Sequence, residues 1–92
     1  MEKWTLYVNS YIDDSLIVIE IDSNRTFLEF RQQAAAELGV DWKDLVLCSK
    51  HEYDKQYNPK TLKQMHEMEP KDIYNGTTFD SIETINGGTF RY

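Results

Sequence analysis

The sequence predicts a single α+β domain in which a mixed sheet of four to five strands packs on one α-helix. Residues 4–8 and 16–21 alternate apolar and polar side chains, as half-buried strands do. Residues 26–38 carry apolar side chains at helical spacing, and residues 77–85 have the composition of one further extended strand. The 92 residues and 40% apolar content suit one soluble domain with a small core.

The first two strands are expected to form an antiparallel hairpin. Trp4, Leu6 and Val8 fall on one face of the first strand, and Ile17, Ile19 and Ile21 on one face of the second. Residues 9–15 between them are rich in turn formers.

The helix has the clearest local signals. Thr26 and Glu29 form a capping-box pattern at its start, and Gly39 is placed to end it in the left-handed conformation. Phe27, Phe30 and Ala34 form a stripe that we expect to lie in the core.

The second half of the chain carries weaker signals. We expect a third strand at residues 45–47, a short edge strand and loop at 51–59, and one helical turn at 61–65. Residues 66–72 are charged and contain Pro70, so they predict a surface loop. The last strand, residues 77–85, is followed by Asn86-Gly87-Gly88 and a tail, Thr89–Tyr92.

Composition argues against several classes of partner. The net charge is −6 and no basic stripe is present, so neither nucleic acid nor an anionic membrane is an expected partner. No apolar run approaches the roughly 20 residues of a membrane span, and no signal peptide follows Met1. A cytoplasmic or nuclear location is the default expectation.

The sequence does not predict an enzyme, a metal site or a cofactor. Cys48 follows the apolar run Leu45-Val46-Leu47, so we expect a small buried or half-buried hydrophobe, not a nucleophile. His51 and His66 are not spaced with cysteines or carboxylates as a zinc set. The acidic run Glu67, Glu69 and Asp72 is interpreted as a solvated face.

The order strand, strand, helix, strand, short strand, turn, strand is that of the β-grasp fold, and the chain resembles ubiquitin and its relatives over residues 4–88. The resemblance rests on the alternating first strand, the threonine-capped helix five residues after Ile21, Gly39 at its end, and Leu45-Val46-Leu47 followed by Lys50. Thr61-Leu62 resembles the pair that opens ubiquitin's short turn. Residues 77–88 match its final strand and diglycine without a gap.

The resemblance implies a protein modifier that performs no catalysis. Gly88 would be the C-terminus of the mature domain, residues 1–88, and a processing protease would remove the tail, residues 89–92. An activating enzyme would adenylate the freed carboxylate, and conjugating enzymes would join it to a lysine amine. Gly87 and Gly88 would pass through enzyme channels that admit only bare, extended backbone. The partners implied are these enzymes and receptor domains, with the modifier itself a monomer.

The resemblance also implies a partner-binding patch on the outer face of the sheet, formed by Tyr11 or Ile12, Val46 and Ile82. The surroundings differ from those of ubiquitin. Basic residues near its patch and tail are replaced here by Asp44, Asp80, Thr84 and Asn86. Phe79 and Ile82 fall on opposite faces of a regular strand, so a bulge or register shift is expected between them. Residues 66–72 are an insertion relative to ubiquitin.

A second interpretation of the chain's end stays open. Asn86-Gly87-Gly88 is also a good hairpin turn, and Thr89–Tyr92 has a strand-like composition that would let it fold back on the preceding strand. The protein would then be a ubiquitin-like interaction or adaptor domain that is never conjugated.

Overall fold

The computed structural model describes residues 2–85 and 89–91, with side chains described for residues 2–83. Within these residues the predicted α+β fold is confirmed: a mixed sheet packs on one α-helix. The structure also contains a second, shorter helix. The elements are β1 (Lys3–Asn9), β2 (Leu16–Asp22), α1 (Phe27–Leu38), β3 (Leu45–Cys48), β4 (Glu52–Tyr53), α2 (Leu62–Met68), β5 (Thr78–Ile85) and β6 (Thr89–Arg91), with 3-10 turns at Trp42–Asp44 and Lys55–Tyr57.

Strands β1 and β2 form the predicted hairpin. They pair antiparallel from Lys3 opposite Asp22 to Asn9 opposite Leu16. The Ser10 N–H donates to the Ser15 carbonyl at 2.8 Å and closes the turn. Asp14 adopts a φ of 60° there, in the left-handed region that aspartate tolerates better than most residues.

Strand β5 lies in the middle of the sheet, whose order is β2-β1-β5-β3-β4. It runs parallel to β1 and antiparallel to β3. Its pairing with β3 is continuous from Glu83 to Asp80, so the bulge expected between Phe79 and Ile82 is wrong. Phe79 and Ile82 are three positions apart, and this odd spacing alone puts them on opposite faces of a regular strand.

Helix α1 covers one face of the sheet and is held as predicted. The Thr26 hydroxyl accepts the Glu29 N–H at 3.2 Å, and the Glu29 carboxylate accepts the Thr26 N–H at 3.1 Å. Gly39 ends the helix with a φ of 77°. Phe27, Phe30 and Ala34 are fully buried, which confirms the predicted core stripe.

Helix α2 is longer than the single turn expected at residues 61–65, and it takes up the first part of the expected loop 66–72. Thr61 and Gln64 form a second capping box, with bonds of 3.0 and 2.9 Å, which starts the helix firmly enough for nearly two turns. Leu62 and Met65 anchor the helix in the core.

The starts of the two helices meet at a backbone crossing, which joins residues 23–28 to residues 58–63. Thr26 and Thr61 form an isolated β-bridge. The Phe27 N–H donates to the Lys60 carbonyl at 2.8 Å, and the Leu62 N–H to the Arg25 carbonyl at 3.0 Å. Each helix therefore begins against the segment that leads into the other.

Strand β6 pairs antiparallel with the end of β5, with Ile85 opposite Thr89 and Glu83 opposite Arg91. Since β3 already pairs with Glu83 on one side, β6 lies on the other side, beyond the end of β1. Asn86, Gly87 and Gly88 lie outside the described residues. The domain boundary at Gly88 stays a prediction.

Candidate functional site

The outer face of the sheet, opposite α1, carries exposed apolar side chains on β2. Leu16 is 53% exposed and Val18 is 56% exposed, whereas Ile19 and Ile21 point into the core. Sequence reasoning did not single out Leu16 and Val18. The signal was the alternation itself, because a strand that turns Ile17, Ile19 and Ile21 inward must turn the alternate residues outward, Leu16 and Val18 among them.

The predicted patch is only partly exposed. Val46 and Ile82 lie directly opposite each other on β3 and β5, on the outer face, as the resemblance implies. They are nevertheless only 8% and 6% exposed, so they offer little contact area. Tyr11 is half-buried, and Ile12 at the tip of the hairpin is 57% exposed. The exposed apolar surface therefore lies towards β2, away from Val46.

A cavity of about 520 Å³ lies between the β1–β2 turn and the β3–β4 turn. Its lining includes Tyr11, Cys48, Asp80 and Ile82. It extends from Tyr11 and Ile82 of the predicted patch to the β3–β4 turn. It is large enough for a side chain of a partner.

The surroundings of this cavity are acidic. Burial, followed by the negative charges of Glu83 and Asp44, raises the pKa of Tyr11. Asp80 accepts a hydrogen bond from the Asn9 amide at 2.9 Å and stays on the exposed surface. The face therefore has the acidic character that the sequence departures predicted.

Cys48 is half-buried in the wall of the cavity. Burial, with the charges of Glu52 and Asp80, raises the pKa of its thiol to about 11. The thiolate is the nucleophilic form of cysteine and is scarce at neutral pH under these conditions. This environment agrees with the interpretation of Cys48 as a small hydrophobe.

A second polar cluster forms where the segment after α2 meets the β3–β4 turn. His51 Nε2 lies 2.7 Å from Glu69 Oε1, and Asp72 lies beside them, with one ligand atom of each residue within 4.8 Å of the others. Asp72 is buried, so the interpretation of this acidic run as a solvated face is wrong at that residue. Sequence spacing did not reveal the cluster, because the fold brings together residues from separate segments.

The buried phenol of Tyr53 links the two carboxylates of this cluster. Its hydroxyl donates to Asp72, and it lies 3.3 Å from Glu69 Oε1. Burial, followed by the bond to Asp72, raises the pKa of Tyr53. The phenol therefore stays protonated and acts as a donor.

Comparison with solved structures gives matches over nearly the whole chain. A ubiquitin from Caldiarchaeum subterraneum has a TM-score of 0.72 at 18% identity, covering 95% of this chain and all of that one. The chain has the ubiquitin-like β-grasp fold. A designed protein based on ubiquitin matches with a TM-score of 0.69 at 15% identity, covering 92% of this chain and 93% of the other.

The similarity to these two structures, at 18% and 15% identity, is one of fold. No protein-family model matches the chain, and no curated protein matches it. Among the described residues, neither helix has the length and hydropathy to cross a membrane.

Proposed function

We propose that this ubiquitin-like protein acts by binding other proteins through the outer face of its sheet, as a monomer in the cytoplasm or nucleus. The observation that carries the proposal is the exposure of Leu16 and Val18 on that face, with Ile12 at the adjoining hairpin tip. Apolar side chains grouped on one exposed face are typical of a protein-binding surface.

The preferred partner has apolar side chains at its centre and basic residues around them. The apolar side chains of the partner would cover Leu16 and Val18, and one could enter the cavity beside Tyr11. Lysine or arginine side chains would face Asp80 and Glu83. This is the opposite charge pattern from that of a receptor for a basic ubiquitin face.

The surface is tested by capturing proteins from an extract on the immobilised chain and on two variants. Val18→Ser removes exposed apolar area, so we expect specific captures to fall at least about fivefold. Met68→Ser is the matched control, because Met68 is 52% exposed and lies on α2, not on the sheet. Equal capture by the Val18 variant and the control would place the binding surface elsewhere.

We further propose that the protein is a modifier processed after Gly88 and conjugated to lysine amines. Its partners would then be a processing protease, activating and conjugating enzymes, and receptor domains. The support is the position of Gly87-Gly88, which begins two residues after the end of β5, together with a fold similar to that of ubiquitin over nearly its full length. Adjacent glycines suit passage through a narrow enzyme channel.

The competing candidate is a ubiquitin-like adaptor that keeps its tail. The pairing of Thr89–Arg91 with β5 favours this candidate, since it matches the fold-back that the hairpin interpretation predicts. An unprocessed precursor would contain the same pairing.

The two candidates are separated by expressing the tagged chain in its native cell beside a Gly88→Ala variant. A modifier would lose Thr89–Tyr92, measured by mass, and would give higher-mass adducts that vanish in the variant. An intact chain without adducts would exclude the modifier and leave the adaptor.

A further inference from the structure

Two separate segments bring potential metal ligands together at one end of the sheet. His51 lies in the β3–β4 turn, Glu69 caps the end of α2, and Asp72 follows in the next turn. These residues offer one imidazole nitrogen and two carboxylates, and one ligand atom of each lies within 4.8 Å of the others.

The hydrogen bonds of His51 orient its ring as a ligand. Nδ1 lies 3.0 Å from the Glu52 carbonyl, which can only accept, so Nδ1 carries a proton. Nε2 lies 2.7 Å from Glu69 Oε1, which also accepts, so a proton bridges the two atoms in this arrangement. A metal ion would replace that proton, and the two ligand atoms would move apart to bind it. A bond from the other ring nitrogen to a carbonyl is typical of metal-binding histidines.

The carboxylate of Asp72 is fixed by donors on both oxygens. Oδ1 accepts the Ser49 hydroxyl at 2.7 Å and the Lys50 N–H at 3.3 Å, while Oδ2 accepts the Tyr53 hydroxyl. These bonds fix the carboxylate in place, with a ligand atom within 4.8 Å of those of His51 and Glu69.

We propose that His51, Glu69 and Asp72 bind a divalent transition metal ion of the zinc type. One imidazole and two carboxylates suit Zn²⁺, whereas Mg²⁺ and Ca²⁺ prefer sites made of oxygen alone. Zinc bonds of about 2.0–2.2 Å place tetrahedral ligands roughly 3.3 Å apart, so the three side chains need only small rotations. Three protein ligands leave a fourth position for water or for a group from a partner.

The metal can reach this site from solvent, and it would give the inserted segment a role. His51 is exposed and Glu69 is half-buried, so both can rotate towards an entering ion, while Asp72 is fixed beneath them. By the resemblance to ubiquitin, residues 66–72 are expected to be an insertion, and two of the three ligands lie in it. A bound ion would tie this segment to the β3–β4 turn, beside the cavity that His51 also lines.

The test is a calorimetric titration of the metal-free full chain with zinc chloride. We expect one ion per chain and a rise in the melting temperature with zinc concentration, because the ion binds the folded state. Glu69→Gln should weaken binding at least about tenfold. Glu67→Gln, which removes the same charge from an exposed position on α2, should bind as the parent does.

His51→Gln provides a second variant at an exposed position, where a failure to fold is not expected. Circular dichroism establishes that each variant is folded. Failure of the parent chain to bind zinc up to about 1 mM would overturn the proposal. Equal weakening by Glu69→Gln and Glu67→Gln would also overturn it, because zinc would then be held only by the general negative charge.

Discussion

At the residue scale, Tyr53 joins the aromatic core to the polar cluster. Its ring lies 6.0 Å from that of Phe27, 5.0 Å from Tyr57 and 4.3 Å from His51. Its hydroxyl is a donor to buried Asp72. One side chain therefore fills the core and also satisfies a buried charge.

Replacing Tyr53 by phenylalanine should keep the packing and remove this donor. We expect the free energy of unfolding to fall by about 1–3 kcal/mol, because Asp72 is left with an unsatisfied oxygen in a buried place. Urea denaturation measures the change, and Tyr74→Phe at an exposed tyrosine is the control. Equal midpoints for the two variants would contradict a structural role for the Tyr53 hydroxyl.

Cys48 should react slowly with alkylating reagents. With a pKa of about 11, its thiolate fraction at pH 8 is about a hundredfold below that of an ordinary cysteine. The rate of iodoacetamide labelling should therefore be roughly a hundredfold lower in the folded chain than in urea, and should rise with pH up to the pKa. Similar rates in both states would show that the surroundings of Cys48 do not suppress its thiolate.

Single residues were predictable where one local signal decided their environment. Helical spacing predicted that Phe27 and Phe30 lie in the core. The position of Gly39 after Leu38 predicted the left-handed end of the helix. The burial of Arg31 was not predicted, since it depends on the Tyr53 carbonyl accepting from its guanidinium at 2.6 Å. That contact joins residues 22 positions apart, which sequence periodicity does not reveal.

At the element scale, the capping box of α1 provides a measurable contribution to stability. Thr26→Ala removes the acceptor for the Glu29 N–H, and we expect a loss of about 1 kcal/mol in the free energy of unfolding. Thr26→Ser is the matched control, since it keeps the hydroxyl and should change stability by less than about 0.5 kcal/mol. Equal losses of stability in both variants would mean that the methyl group of Thr26, and not its capping hydroxyl, stabilises the fold.

The elements were predicted best where the pattern was long. The β1–β2 hairpin, α1 and β5 have the expected order and nearly the expected bounds. The predicted length of helix α2 was too short, because the prediction did not include the capping box of Thr61 and Gln64. Glutamine can take the place of glutamate in a capping box. A resemblance to a family predicts which face of the sheet a residue lies on, but not how exposed its side chain is. Val46 and Ile82 of the predicted patch are therefore on the expected face but nearly buried.

At the scale of the whole molecule, the fold should not depend on β6. Three residue pairs join it to β5. Backbone bonds contribute about 0.5–1.5 kcal/mol each, and ordering each residue costs about 1–2 kcal/mol, so the two nearly cancel. Deleting residues 89–92 should therefore change the free energy of unfolding by about 1 kcal/mol or less.

Urea denaturation followed by circular dichroism checks this expectation, with the full chain as reference. Retained cooperative unfolding would mean that processing after Gly88 is compatible with the fold. A loss of more than about 3 kcal/mol would instead make the tail part of the structural domain, and would favour the adaptor.

The whole fold was predictable because order, spacing and caps agreed with one another. The polar cluster at His51 was not predictable, because its members come from the β3–β4 turn and from the segment that ends α2. Only the folded chain brings them together.

The crossing between residues 23–28 and 58–63 has a consequence for the order of events in folding. The bridge between Thr26 and Thr61 joins positions far apart in the chain, so the unfolded polypeptide must close a long loop before it forms. A helix as short as the seven residues of α2 is not stable alone in water. We therefore expect α2 to appear late, after the hairpin and α1. Its amides would exchange together with those of the crossing, in one shared opening event.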